Sequence, residues 1–410
     1  MRYLSSLLLL TSIISCQPPK PYDAVASLKA DITLLASDSL GGREVGTEGE
    51  RMAADYLQSR MKELELVAKG TEAYLQPFFV KKSTNPHEEA NISTERSEGG
   101  ITGYNVIGML DNPSDNIVVI GAHYDHLGMG GMSSMSRGVE EVHNGADDNA
   151  SGTAALLHLA QKLKEMELQT DVLFIAVSGE EQGLWGSNFY TKNPTVDLSK
   201  VNFMINMDMV GRLESERGLA VYGTGTAPDW NSLIDEVNTD SLKIIKKESG
   251  KGPSDHTSFY LKDIPVLHFF TGQHADYHRP SDDADKINYA GIVQVTDMIE
   301  RIIVALDGGE KLVFQSTKDE ESNTPRFTVS LGVMPDYLYD GKGLLVADVS
   351  ADKPAIKAGL LKGDIVVQLG DSTVTDMMSY MRALSVFSKG DKARVVVDRK
   401  GEKKEFQVEF

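Results

Sequence analysis

The hydrophobic positions along the chain fall into short unbroken runs separated by segments of helical period. Residues 117–120, 171–177, 201–207 and 265–270 are dominated by Val, Ile, Leu, Phe and Met. Runs this short, bounded by turn-forming residues, read as strands buried on both faces, the kind that fills parallel sheets. Residues 74–81 and 104–110 read as two further strands, with the polar stretch 83–100 as an excursion between them. Helical spacing appears in Val25, Leu28, Ile32 and Leu35 of residues 24–37, and in Leu156, Leu159, Ala160 and Leu163 of residues 152–168. Residues 41–47 read as a glycine-rich helix entry, and 47–66 as an amphipathic helix in which Thr47 and Glu50 have capping-box spacing. A helix over residues 289–306 ends this part, and the charged, aperiodic residues 308–324 read as a linker. From residue 326 the pattern changes to short strands with Gly turns and a helix around residues 376–387. The expectation is an α/β domain over residues 22–307, with a mixed, mostly parallel sheet flanked by helices, and a small β-rich domain over residues 325–410.

Several buried strands run directly into polar groups. His123 and Asp125 follow the first, Glu180 and Glu181 the second, and Asp208 the third. Asp147 lies in the loop that returns to a helix, and His278 in the ligand-rich loop after residues 265–270. Active groups of open α/β sheets sit beyond the carboxyl ends of strands, so recurrence of acidic tips points to a site. Taken alone, residues 144–152 also fit a polar loop with Ser151 capping a helix. Imidazole with carboxylate suits zinc, and several carboxylates with two histidines suit two zinc ions sharing one ligand. The adjacent Glu180 and Glu181 carry like charge, which is costly unless a cation separates their roles, one binding metal and the other moving a proton. Paired metals polarise a carbonyl and bring the pKa of bound water from about 15.7 to roughly 7.

The ordered motifs H-Y-D-H, G-A-D-D-N-A-S-G, S-G-E-E-Q-G, N-M-D-M-V-G and Y-H-R-P-S-D resemble the co-catalytic di-zinc aminopeptidase family, which also contains glutamate carboxypeptidases, the transferrin receptor and glutaminyl cyclases. The resemblance implies that His123 and Asp208 hold one zinc, Glu181 and His278 the other, and Asp147 bridges them. It implies Glu180 as general base, Asp125 as the partner that orients His123, and a cis peptide at Asp147–Asp148. Some relatives carry an oxyanion-stabilising Tyr before the Ser-Asp-His motif, where this chain has Lys251-Gly252-Pro253. Others carry it directly before the last ligand, which is Tyr277 here, although an apolar ring packing the loop reads equally from the residues. His256 stands between pocket lining and structure. The implied activity is hydrolysis of the N-terminal peptide bond. The alternatives are a dipeptidase or carboxypeptidase on the same site and a receptor-like, non-catalytic peptide binder. A glutaminyl cyclase would need one metal where this sequence offers ligands for two.

The second region resembles a bacterial PDZ domain, through Ser330-Leu331-Gly332-Val333, Gly343-Leu344-Leu345-Val346 and the Gly359 and Gly363 turns. The resemblance implies a peptide or protein C-terminus added to a sheet edge, with Ser330, Leu331, Gly332 and Val333 at its carboxylate. A worn module serving as a lid is the alternative. The formal net charge of −19 argues against a nucleic-acid partner, because phosphate binding needs clustered cations. At the start, Arg2 precedes an apolar run over residues 4–14, too short to span a bilayer. Ile13-Ile14-Ser15-Cys16 resembles the bacterial lipobox, and Cys16, the sole cysteine, leaves no disulfide framework or thiolate site. Residues 1–21 are thus expected to be signal and tether, giving an exported lipoprotein that meets the membrane through its anchor alone.

Overall fold

Ten strands form one sheet in the larger domain: β1 (Val67–Ala68), β2 (Leu75–Lys81), β3 (Asn91–Ser93), β4 (Ile101–Leu110), β5 (Ile117–His123), β6 (Asp171–Val177), β7 (Val201–Met207), β8 (Leu219–Tyr222), β9 (Ile244–Lys247) and β10 (Val266–Phe270). The computed structural model describes residues 22–81, 90–112, 114–131, 133–136, 138, 140–317, 328–336, 338–339, 341–350 and 353–410. The strands are ordered β3-β2-β4-β6-β5-β7-β10-β8-β9, with β1 on β4. Parallel pairing is concentrated at the centre, where β5 pairs with β6 and β7, and β7 with β10. Antiparallel pairs β2–β4, β4–β6 and β8–β10 flank it, so the sheet is mixed, with less parallel pairing than the sequence pattern suggests.

Side-chain alternation explains why the central strands are apolar throughout. Val118 and Ile120 enter one core with Leu28, Leu57, Leu156, Phe203 and Ile299, beneath α1 (Ala24–Leu35), α2 (Glu48–Glu63), α3 (Gly152–Lys164), and the later helix over Tyr289–Leu306. Ile117 and Val119 enter a second core on the other face with Leu173, Ile175, Tyr190 and Phe259, beneath α4 (Trp185–Lys192) and α6 (His256–Tyr260); α5 (Trp230–Val237) and α7 (Tyr289–Leu306) complete the first layer. Each fully buried Val, Leu or Phe contributes about 1.5–3 kcal/mol, which is what fixes this register.

Some local expectations change. Thr47 caps α2 by accepting the Glu50 N–H at 3.3 Å, but the Glu50 carboxylate turns inward to the Tyr124 hydroxyl at 2.8 Å instead of closing a box. Strands β8 and β9 are short and bordered by charged residues, and the sequence pattern does not announce them. Residues 308–317 of the expected linker lie against the domain: Leu312 donates to Asn202 Oδ1 at 2.7 Å and Gln315 to the Thr226 carbonyl at 2.8 Å. Residues 82–89 of the polar excursion, 318–324 of the linker, 325–327 at the start of the second domain, and residues 1–21 with Cys16 lie outside the described residues.

The second sheet has β11 (Val333–Pro335), β12 (Leu344–Val349), β13 (Ile365–Leu369), β14 (Ser372–Thr373), β15 (Lys392–Arg399) and β16 (Glu402–Glu409), ordered β11-β12-β13-β15-β16 with β14 on β13. With α8 (Pro354–Ala358) and α9 (Met377–Ser385) it encloses its own apolar core of Leu331, Leu344, Val366, Leu384 and Val395. Among the described residues no helix is long and apolar enough to cross a membrane.

Candidate metal centre

The adjacent parallel strands β6, β5, β7 and β10 all end at one crevice. Strand β5 ends in His123, whose Nε2 lies 3.2 Å from Asp208 Oδ1, just past β7, and 3.4 Å from Asp148 Oδ1. Glu181, past β6, lies 2.8 Å from His126 Nδ1 and 3.3 Å from His278 Nε2. His278 Nε2 is also 3.2 Å from Asp148 Oδ2, and its Nδ1 donates to the Ser133 carbonyl at 3.0 Å. That hydrogen bond leaves Nε2 as the nitrogen facing the cluster. Two groups of candidate donors result, His123-Asp148-Asp208 and His126-Asp148-Glu181, with His278 beside the second.

Asp148 joins the two groups, one oxygen toward each. The expected bridge, Asp147, is turned away: its Oδ1 accepts from the Gly211 N–H at 2.6 Å and the Ser151 hydroxyl at 3.0 Å, and its Oδ2 meets His274 Nε2 at 3.1 Å. Asp147 therefore ties the loop down, its carboxylate already taken up by these donors. The cis peptide follows the same shift, at Asp148–Asn149 instead of Asp147–Asp148. Asp282 holds the loop from below, accepting both the Asp147 N–H at 2.9 Å and the Asp148 N–H at 3.0 Å. Gly145, at φ +55°, starts the turn, and a Cβ there would fall 2.1 Å from the Asp148 carbonyl oxygen.

Arg43 holds this loop to the end of β5. Its guanidinium is fully buried and donates to the carbonyls of Tyr124 at 2.7 Å, Asn144 at 2.7 Å and Gly145 at 3.0 Å, and also to Leu35. Burial lowers its pKa to about 10 despite the pull of Asp125 and Asp148. The glycine-rich helix entry thus carries the cation that fixes both ligand loops.

Asp125 sits beneath His123, with Oδ1 3.7 Å from the ring Nδ1, and that oxygen accepts the Glu180 N–H at 3.1 Å. The adjacent glutamates are driven apart electrostatically. Loss of water raises Glu180 well above the carboxylate range, with His123 opposing and Asp208 and Glu181 adding to the rise. Burial and Asp148 act to raise Glu181 as well, but His278 and His126 prevail and bring it to about 2. Such divergence separates a proton carrier from a permanent anion. Burial would lower His123 and His278, yet Asp208 and Glu180 around one, and Glu181 and Asp148 around the other, raise both well above the usual imidazole range. Carboxylates this crowded and this dry need positive charge, and imidazole nitrogens with carboxylate oxygens form a donor set suited to zinc.

A cavity of about 430 Å³ opens onto these groups, with Glu180, Asp208 and His278 on its floor and Leu184, Tyr222 and Phe270 on its walls. Tyr277 lines it as well, its ring stacked on His278 at 3.8 Å between centroids. His256 is buried outside the lining and stacks on His268 at 4.5 Å, which does line the cavity. Ser330-Leu331-Gly332-Val333 lies away from these groups, leading into β11 at the edge of the second sheet, with Leu331 in that sheet's core.

Residues 105–303 match the model of Peptidase family M28, and residues 314–410 match that of the PDZ domain. The larger domain is thus similar to Peptidase family M28 and the smaller one to a PDZ domain. It is 28% identical over 282 residues to leupeptin-inactivating enzyme 1 of Streptomyces exfoliatus, covering 67% of this chain and 55% of that protein. It is 29% identical over 217 residues to aminopeptidase YwaD of Bacillus subtilis, covering 48% of this chain and 43% of that protein. The chain thus spans about half the length of these curated relatives. A solved aminopeptidase from Aneurinibacillus sp. strain AM-1 shares the fold, with a TM-score of 0.53 and 18% identity over 72% of this chain and 97% of that one.

Proposed function

We propose that the chain is a zinc-dependent aminopeptidase that binds two zinc ions and hydrolyses the N-terminal bond of peptides. In this reading His123, Asp208 and Asp148 hold one ion and Asp148, Glu181 and His278 the other, so the bridge is Asp148 instead of Asp147. The observation that carries the reading is Asp148, whose two oxygens lie 3.4 Å from His123 and 3.2 Å from His278. Zinc, when bound, supplies a Lewis acid that polarises the scissile carbonyl and acidifies water. Glu180 takes the proton of the attacking water and returns it to the leaving amine, a role its raised pKa suits. Asp125 keeps Glu180 in place through the backbone N–H and orients His123. Tyr277 lines the cavity and is assigned to steady the oxyanion.

Aminopeptidase is favoured over carboxypeptidase by the charge of the pocket. Among the described residues lining the cavity none is Lys or Arg, whereas Asp148, Glu180, Glu181 and Asp208 all reach it. With Asp148, Glu181 and Asp208 engaged by zinc, Glu180 is the lining carboxylate left to meet a substrate's α-ammonium, and the lining offers no fixed side-chain cation to a terminal carboxylate. The test is metal analysis together with the product profile from a mixed peptide library. Release of single N-terminal residues by a two-zinc protein is expected. Trimming from the other end would establish the carboxypeptidase alternative, and two bound ions without turnover would establish the receptor-like one.

For the PDZ domain the proposed ligand is a peptide C-terminus laid along β11, a sheet edge, with its carboxylate at Leu331 and Gly332. For Cys16 the proposal is lipid attachment after export. Fatty-acid labelling of the wild-type chain and its absence in Cys16→Ser would support it, and equal labelling would refute it.

A further inference from the structure

Leu338, which follows β11, leaves its own domain. It is 6% exposed and packs with Ala220 and Ile245 of the peptidase domain, against Tyr222 and Phe270. Tyr222 and Phe270 are walls of the cavity, on the paired strands β8 and β10. Gly272, just beyond β10, is approached so closely that a Cβ there would lie 2.5 Å from Leu338 Cδ1 and 2.9 Å from Arg217 Nη2. Arg217 donates to the Gln273 carbonyl at 2.8 Å and pairs with Asp336 at 3.5 Å. The other oxygen of Asp336 accepts the Leu338 N–H at 2.9 Å, so ion pair and apolar contact form one unit. At the far end of the same loop Arg279 pairs with Asp348 of β12 at 2.8 Å. The loop bearing Gln273, Tyr277 and His278 is thus held by the PDZ domain near both of its ends.

We propose that the PDZ domain builds part of the peptidase's substrate pocket, with Leu338 as a positioning residue that fixes the Tyr222–Phe270 wall and so sets which N-terminal side chains are accepted. This rests on the aminopeptidase reading. Partly exposed ion pairs contribute little on their own, so the apolar contact of Leu338 carries the positioning and the two pairs give it direction. A back wall that yields loses grip on large side chains first, because a small one never reaches it.

The test uses the full chain with both metals present. kcat and KM are measured for alanyl, leucyl and phenylalanyl p-nitroanilides, and Kd for the matching amino-acid hydroxamates. Leu338→Ala is expected to lower kcat/KM for the leucyl and phenylalanyl substrates by roughly ten- to thirtyfold, through KM, and to leave the alanyl substrate within about twofold. Leu338→Met is expected to restore the wild-type ratio. Asp336→Ala with Asp348→Ala should give a smaller shift in the same direction. A uniform loss across the series, or no change in the ratios, overturns the proposal. If the wild-type protein cleaves none of the anilides, the aminopeptidase reading fails by itself, and the hydroxamate Kd ratios still decide whether Leu338 shapes the pocket. Should Leu338→Ala not fold, Leu338→Val and Leu338→Met supply the graded comparison.

Discussion

The two domains handle buried charge differently. In the peptidase domain Arg43, Asp125, Asp147, Asp148, Asp255 and Asp282 are all withdrawn from solvent, clustered where strands end. In the PDZ domain, among the described residues, Asp364 is the buried acid, and Arg399 meets it with hydrogen bonds of 2.6 and 2.8 Å. The pair Asp364–Arg399 is complete within the protein, and Leu361 adds a backbone N–H at 2.9 Å. The carboxylates of Asp148, Asp208, Glu180 and Glu181 face one another and imidazoles instead. Burial lifts Asp255 to about 7, against the pull of His123 and the Ser187 hydroxyl. Dehydrating a charge costs several kcal/mol, so a fold that turns four such carboxylates toward one another, with imidazoles and no Lys or Arg in direct contact, suits a cation there. The PDZ domain, by contrast, offers a sheet edge and a docking segment, means of holding a chain and not of cleaving it.

The comparison is broken most directly at the two neighbouring aspartates. Asp148→Ala is expected to lose both metal ions in metal analysis. Turnover should fall beyond the ~10²–10⁴-fold that one general base contributes. Asp147→Asn keeps an acceptor for the Gly211 N–H and is expected to retain two ions, with affinity weakened by about 10–100-fold as for other supporting residues. Retention of both ions by Asp148→Ala, with their loss in Asp147→Asn, would reverse the assignment.

The adjacent glutamates sharpen the same contrast. Glu180→Gln is expected to reduce kcat by ~10²–10⁴-fold while both ions stay. Glu181→Gln should instead release metal, because its anion is the one His126 and His278 stabilise. Near-normal kcat in Glu180→Gln would remove it as the base.

Arg43 gives the next smaller effect. Lysine keeps the charge but has no planar fork, so it cannot serve the carbonyls of Tyr124, Asn144 and Gly145 together. Each carbonyl left unpaired costs about 1–3 kcal/mol. Arg43→Lys should therefore melt earlier and bind metal more weakly, and restoring excess zinc should recover much of the activity. Unchanged metal affinity would confine Arg43 to stability alone.

The central strands and the acidic tips were legible because parallel strands buried on both faces leave an unbroken apolar signature, and whatever polar group ends them stands out. Register within the irregular loops was not. Asp147 and Asp148 are equivalent in composition, and only the turn at Gly145, with the donors at Gly211 and Ser151, decides which faces the crevice. His126 carries no such signal, because it follows β5 in non-helical backbone, where a spacing of three from His123 does not imply a shared face. Arg43 was hidden for another reason: its partners are backbone carbonyls, which every sequence has. The Leu338 contact joins segments far apart in sequence, and nothing local in residues 336–338 distinguishes a docking residue from an ordinary turn.

The smallest effect on catalysis, and a check on the charge comparison away from the metal, is expected at His158. Its ring lies on α3, 3% exposed, with Nδ1 2.7 Å from the Tyr22 hydroxyl and Nε2 buried with no partner among the described residues. Burial, with the nearby Lys162 charge adding to it, lowers its pKa to about 4. An unfolded chain would take up the proton near pH 6.5, so between about 6.5 and 4 the unfolded state binds more protons than the folded one. Stability from this residue is present above pH 6.5 and is lost as pH falls through the folded pKa, by roughly 3 kcal/mol at about 1.4 kcal/mol per unit. His158→Leu keeps an apolar body on α3 and removes the titration. Urea midpoints at pH 7 and pH 4.5 should show the variant gaining on the wild type in acid, with kcat at pH 7 unchanged because His158 does not line the cavity. Parallel midpoints at the two pH values would mean that acid sensitivity arises at the strand-end carboxylates, and that buried charge in this domain matters for stability only where the metal ligands are.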